Sequence, residues 1–272
     1  VSEPSAPSRE TAATGIYVYG VVASDAPATL FEDVRGVDPA QPTALLKDGG
    51  LAAITSRVSL DEFGQHALET NLRDPSWLEA KARAHDDVLG RAVGRTTVVP
   101  FRFGAIYESE AHVGAMLAER RELVEALERL DGAVELGVNA YIDRERFRAL
   151  LAAERGVADD AEASGRAYMQ RRQLERELDD AVASFAADTA RAMHDWLAAS
   201  ARDARFNPLR PSTGEGRDML LNAAYLVAVD AEQPFRAAVA ELEQRHAADG
   251  VTLELTGPWP PYNFAAAETS EP

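Results

Sequence analysis

Cysteine is absent, so disulfides, thiolate nucleophiles and cysteine-ligated zinc or iron–sulfur centres are excluded. Lysine is nearly absent: among 28 basic residues only Lys47 and Lys81 are lysines, the rest being arginine. No apolar run approaches the roughly 18 residues that a membrane-spanning helix needs. Residues 1–14 are rich in Ser, Pro, Ala and Glu and lack the apolar stretch of a secretory signal. Positive charge is scarce overall. With 45 acidic residues against 28 basic ones the formal net charge is −17. That leaves no basic face for displacing counterions from nucleic acid and sets the surface against anionic lipid. Together these absences predict a cytoplasmic chain with no nucleic-acid and no membrane partner, kept dispersed by self-repulsion.

What is present is an ordinary globular composition, 46% hydrophobic and 27% charged over 272 residues, enough for one large or two small domains. The hydrophobic period switches repeatedly between about 2 and about 3.6. Ile16–Ala23 reads as a buried central strand, apolar or aromatic on both faces. Leu51–Val58 reads as a second strand, introduced by the turn Asp48-Gly49-Gly50. Asp74-Pro75 opens a helix as N-cap and first residue, with Leu78, Ala82, His85, Leu89 and Ala92 on its apolar face. Thr96–Phe101 reads as a third strand. Ser109 caps one continuous helix carrying Val113, Met116, Leu117, Leu123, Val124, Leu127 and Leu130, ended by Gly132.

Val134–Ile142 alternates cleanly as a strand, followed by a short helix over 144–154 and an acidic joint over 155–165. The longest periodic segment runs over 165–199, with a stripe of Leu174, Leu178, Val182, Phe185, Thr189, Met193 and Trp196. That stripe packs on its own domain or, in part, receives a partner helix. Phe206–Arg210 reads as a short edge strand and Leu220–Val229 as a strong one. A helix marked by Phe235, Val239 and Leu242 leads to a last strand from Val251. From 133 onward the order is β-α-β-β-α-β, that of a ferredoxin-like domain, here with a long helix. The predicted class is α+β in two domains: a disordered tail over 1–14, an N-terminal α/β domain over 15–132, a C-terminal ferredoxin-like domain over 133–264, and a disordered tail over 265–272.

No constellation of catalytic residues emerges. His66, His85, His112, His194 and His246 share no metal-ligand spacing. His85, on an apolar helix face beside Asp86 and Asp87, reads either as a base or switch oriented by a carboxylate or as a hydrogen-bonded core histidine. Gly90–Thr96 lacks the lysine and spacing of a phosphate loop, and Gly94 reads as a helix terminator. Gly214-Glu215-Gly216 is a loop without a dinucleotide signature. Acidic pairs such as Asp86/Asp87, Asp159/Asp160 and Asp179/Asp180 read as solvated faces. The expectation is no enzyme, with no catalytic, cofactor or metal residues.

Two segments stand out. In Val98-Val99-Pro100-Phe101-Arg102-Phe103-Gly104 a strand runs into a turn that sets Arg102 between two aromatics, to stack on them or clamp a carboxylate. In Gly257-Pro258-Trp259-Pro260-Pro261-Tyr262-Asn263-Phe264, after the last strand, prolines stiffen a chain whose aromatics then bury at low entropic cost. Each reads either as an inter-domain latch or as a surface that grips a partner. The candidate residues are Pro100, Phe101, Arg102, Phe103, Gly104, Pro258, Trp259, Pro260, Pro261, Tyr262 and Phe264. With the strand Gly15-Ile16-Tyr17-Val18-Tyr19-Gly20, the His85 helix, Ala167-Tyr168 and Asn222-Ala223-Ala224-Tyr225-Leu226-Val227, these segments resemble the gas vesicle GvpL/GvpF proteins, in order over about residues 14–265. The resemblance implies two α/β domains, the second ferredoxin-like. It also implies an accessory or minor structural role in gas vesicle assembly and buoyancy, contacts with the small hydrophobic major shell protein and other gas vesicle proteins, and no established active site. The alternative is a small-molecule-binding sensor or enzyme on a ferredoxin-like scaffold.

Overall fold

A computed structural model describes residues 13–119, 121–154, 165–211 and 217–265. The expectations for residues 1–12, the acidic joint over 155–164, the Gly214-Glu215-Gly216 loop and residues 266–272 lie outside them. Two compact units form. One comprises the chain up to Gly132 together with the chain from Pro260; the other is Ala133–Trp259. Following chain order, the sequence reading had put residues 260–264 with the second unit.

The first unit contains β1 (Thr14–Ala23), β2 (Thr43–Asp48), β3 (Leu51–Ser59), α1 (Leu60–Phe63), α2 (Gln65–Asn71), α3 (Pro75–Gly90), β4 (Val98–Pro100), β5 (Ile106–Tyr107), α4 (Glu110–Ala118) and α5 (Arg121–Leu130). Its sheet runs β2-β3-β1-β4, antiparallel throughout, and β5 also pairs with β1. Alternation along β1 sends Tyr17 and Tyr19 into one apolar cluster and Ile16 and Val18 into another on the opposite face. A bulge between Val18 and Gly20 then shifts the register by one residue, so Val21 joins the second cluster and Val22 the first.

Strand β2 was not foreseen. Asp48-Gly49-Gly50 is the tip of a β2–β3 hairpin: Gly49 (φ 52°) and Gly50 (φ 101°) both take positive φ, as tight hairpin turns require. The single helix expected after Ser109 is broken into α4 and α5. Glu119 leaves helical geometry at ψ 46°, and the charged run after Ala118 falls where the apolar stripe should continue from Leu117.

The second unit contains β6 (Ala133–Asp143), α6 (Arg144–Glu154), α7 (Gly165–Ala198), β7 (Asp203–Phe206), β8 (Arg217–Ala228), α8 (Glu232–His246) and β9 (Val251–Trp259). Its antiparallel sheet runs β7-β8-β6-β9. Leu136, Val138, Ala140 and Ile142 line one face of β6 and pack with Phe147 of α6, Val182, Met193 and Leu197 of α7, and Phe235, Val239 and Leu242 of α8. The edge strand β7 ends at Phe206, whereas the sequence had placed it over 206–210; Pro208 lies beyond the ladder, its carbonyl accepting from Asn222 Nδ2. Strand β9 continues through Gly257 and Pro258 to pair Trp259 with Glu135 across a register shift. The short α9 (Tyr262–Ala265) belongs to the first unit.

The last apolar turn of α7 also differs from expectation. Leu197 is fully buried and Trp196 is 36% exposed, because stepping four residues from the buried Met193 keeps the stripe on the sheet while stepping three rotates off it. Trp196 instead lies under the Arg245 guanidinium, 5.4 Å from its ring centroid. Leu197→Ala should therefore cost about 2–5 kcal/mol, and Trp196→Ala less than about 1 kcal/mol. Urea denaturation of the two variants measures this, and equal losses would contradict the register.

Candidate functional site

The chemistry-bearing side chains of the first unit converge where α3 crosses β1. Asp74 caps α3, its carboxylate accepting from the N–H groups of Ser76 and Trp77, and Pro75 fixes the first turn. Counting from that start places His85 against β1, 2% exposed. Tyr17 Oη lies 2.9 Å from His85 Nδ1, and the Gly104 N–H donates to the same oxygen at 3.0 Å. Tyr19 Oη pairs with Ser56 Oγ at 2.7 Å and accepts the Val37 N–H at 2.9 Å.

The Tyr17 oxygen accepts from Gly104 and shares one hydrogen with Nδ1; in the tautomer that carries its hydrogen on Nε2, Nδ1 accepts from the hydroxyl. Nε2 is buried without a hydrogen bond of ordinary geometry. Burial holds His85 below the usual histidine range, against the Asp86 charge and the Phe101 carbonyl, which both favour a proton. Burial likewise raises the Tyr17 and Tyr19 hydroxyls above the usual tyrosine range, against the hydrogen bonds from Gly104 and Val37 and the Ser56 pair.

An aromatic wall surrounds this pair. Phe103 meets the rings of Tyr17, His85 and Trp77 edge-on, at centroid distances of 6.1, 5.9 and 6.2 Å, and Tyr262 stacks on His85 at 6.4 Å and 23°. Tyr262 Oη donates to Asp86 Oδ1 at 3.0 Å. Lys81 lies beneath, over the rings of Phe63 and Trp77, donating to the Val37 carbonyl and paired with Glu62 at 2.8 Å. Burial pushes Glu62 up, and Lys81 with the Trp77 indole N–H outweighs it, leaving the carboxyl below its usual range.

The first sequence motif thus gathers here in part. Pro100 is buried at the end of β4, and the Phe101 N–H reaches the Tyr19 carbonyl at 2.8 Å. Gly104 turns the chain at φ 89°. Arg102 is exposed, and among the described residues neither ring nor carboxylate holds it. The second motif divides. Pro260, Pro261, Tyr262 and Phe264 lie in the first unit, with Phe264 fully buried and Arg129 donating to the Phe264 and Ala265 carbonyls at 3.1 and 3.3 Å. Pro258 and Trp259 belong to the second unit and are exposed, Trp259 Nε1 donating to Thr256 Oγ1 at 3.1 Å. Sequence reasoning missed Tyr17, Tyr19 and Arg129. The two-residue spacing of the tyrosines was a usable signal, since it puts both hydroxyls on one face of β1.

The second unit offers a different surface. An open groove of about 360 Å³ is lined by Ala187, Ala190, Arg191 and Asp195 of α7 and by Phe206 of β7. Phe206 stacks on His194 at 3.8 Å, and His194 Nδ1 meets Tyr225 Oη at 3.1 Å. Among the described residues no group of three or more His, Asp or Glu is placed to hold a metal ion, and no helix is long and apolar enough to cross a membrane.

Residues 15–266 match the family model described as gas vesicle synthesis protein GvpL/GvpF. The chain belongs to this family. It is 35% identical over 254 residues to gas vesicle protein L of Streptomyces sp. (strain CB03234), covering 92% of each chain. It is 34% identical over 255 residues to gas vesicle protein F of the same organism, covering 91% of this chain and 98% of that one. The two values are too close to favour either branch. In fold it is similar to the crystal structure of GvpF from Anabaena sp. PCC7120, with a TM-score of 0.68 at 21% identity over 94% of this chain and 97% of that one. The GvpF structure from Microcystis aeruginosa gives 0.66 at 22% identity over 93% and 99%.

Because burial holds the His85 pKa in the folded chain below that of the unfolded chain, its contribution is complete above about pH 6.5 and declines as pH falls below that value. Thermal melts from pH 8 down to pH 5 should show that decline. His85→Asn, whose side-chain oxygen can still accept from Tyr17, should reduce it, leaving the slope owed to His194, which burial also holds low. An unchanged slope in the variant would assign the effect elsewhere.

Proposed function

We propose that this chain is an accessory or minor structural protein of gas vesicle assembly. It catalyses no reaction and works by binding the small hydrophobic major shell protein and other gas vesicle proteins in the cytoplasm. The observation that carries this reading is Phe206, 61% exposed on an edge strand beside the alanine-floored groove. A chain with a net charge of −17 is built to avoid indiscriminate association. A bare aromatic beside a groove is the kind of patch that binding surfaces retain. Leu209, 56% exposed, extends the patch, and Trp259, 47% exposed, gives the opposite edge strand β9 an aromatic of its own. Membership of the GvpL/GvpF family supplies the process.

The order β7-β8-β6-β9 with α6–α7 and α8 as crossovers supports reading the second unit as ferredoxin-like. Within the two motifs we assign Pro100, Phe101, Phe103, Gly104, Pro260, Pro261, Tyr262 and Phe264 to holding the first unit together. Arg102, Pro258 and Trp259 are assigned to contact with partners.

In cells that form gas vesicles, Phe206→Ser should weaken capture of the shell protein by this chain about 30-fold, the cost of losing a binding hot spot of about 2 kcal/mol. The melting temperature should stay nearly unchanged. Undiminished capture by both Phe206→Ser and Trp259→Ser would remove this reading.

A further inference from the structure

The groove between α7 and β7 is built along one helix. Ala187, Ala190, Arg191 and Asp195 line it from a single stretch of α7, a length of about 12 Å at a helical rise of about 1.5 Å per residue. Its floor is two alanines, and side chains this small let a second backbone come close. Phe206 forms the facing wall and is held in place: its ring stacks on His194, whose Nδ1 meets the Tyr225 hydroxyl. The exposed aromatic is therefore already oriented before anything binds, which lowers the entropic cost of contact.

The two charges of the groove are open. Arg191 and Asp195 stand one turn apart on α7 and both are exposed, and among the described residues neither side chain has a hydrogen bond or ion pair. Four other arginine–carboxylate pairs at this spacing close on themselves: Arg83 with Glu79, Arg121 with Glu125, Arg236 with Glu232 and Arg245 with Glu241, at 2.8–2.9 Å. Asp195 is a methylene shorter than those glutamates, which leaves its arginine free. A carboxylate laid against Arg191 and a cation laid against Asp195 would complete both. The main chain of β7 is a poor template for an added strand, since the Asp203 carboxylate takes the Ala204 N–H.

We propose that this groove receives an amphipathic helix aligned with α7. Its apolar side chains pack on Phe206 and the two alanines, while an acidic residue meets Arg191 and a basic residue one turn away meets Asp195. This rests on the reading that the Phe206 surface takes the shell protein, the helix being the segment that the shell protein presents. A helix has the same rise per residue as α7, so its side chains keep step with both charges along the groove. An extended chain, at about 3.3 Å per residue, passes the same length in about four residues. Phe206 supplies the apolar contact, and the exposed ion pairs set the register and respond to salt.

Photo-crosslinking in vesicle-forming cells tests the shape. A diazirine side chain is placed in the full chain at Asp188 or at Ala199, exposed positions on α7 that do not line the groove, and the crosslinked shell-protein residues are mapped by mass spectrometry. The two sites should fall in one segment, about 11 residues apart as in a helix aligned with α7. A spacing of about five residues, the extended-chain value, sites in separate segments, or no crosslink from either position overturns the helix. Capture from lysed cells tests the charges. Arg191→Glu and Asp195→Lys should each weaken it about threefold at low salt and less at about 0.5 M salt, with the melting temperature unchanged. Undiminished capture by both overturns the proposal. If Phe206→Ser still weakens capture in that case, the shell-protein reading stands without the helix. Undiminished capture by Phe206→Ser and Trp259→Ser overturns both.

Discussion

The oxygen of Tyr17 is shared by two partners, and the first unit is organised around that sharing. It accepts from Gly104 and is hydrogen-bonded to His85, tying together a central strand, a helix and a bend that lie far apart in sequence. In a buried site each of these groups, left unpaired, would carry a desolvation penalty of about 1–3 kcal/mol, so the three must form together. The constraint reaches the choice of residue at 104. A Cβ there would meet only Leu68, at an ordinary 3.5 Å, so space does not exclude a side chain. The φ of 89° does, and that φ is what turns the Gly104 N–H inward. The β1 bulge belongs to the same arrangement, because the bend reaches β1 on either side of it: the Phe101 N–H donates to the Tyr19 carbonyl and the Ala105 carbonyl accepts the Val18 N–H.

The second unit manages a different constraint. Its sheet has two edges, β7 and β9, and an open edge invites pairing with any extended chain. On β7 the Ala204 N–H is taken up by the Asp203 carboxylate, the strand is short, and Pro208 lies two residues beyond its end. These features shorten the edge that an extended chain could pair with, while Phe206, stacked on His194, stays exposed.

Most elements were legible because their signals are local. Asp74-Pro75 and Ser109 mark helix starts whose caps form as the residues dictate, and the alternation from Val134 to Ile142 is buried at every expected position. Errors arose where one residue of phase decides the outcome, as in Trp196 against Leu197, or where a turn has two flanks and only one was counted, as at Gly49-Gly50. The candidate site was half legible. Its unusual residues, Phe101 to Gly104 and Tyr262 to Phe264, announce themselves by composition. Their meeting with Tyr17, His85 and Arg129 is a long-range fact that no window of sequence contains. The division of Gly257–Phe264 between two units is of the same kind, since nothing in a run of prolines and aromatics says where a strand stops serving one core and the chain begins serving another.

That division makes the second unit an insertion within the first. On a ribosome, β1 to α5 emerge early and assemble their sheet, but the residues that cover His85 are translated only after the whole of the intervening unit. The faces of α3 and α5 that meet Tyr262 and Phe264 therefore spend the length of that synthesis without their cover.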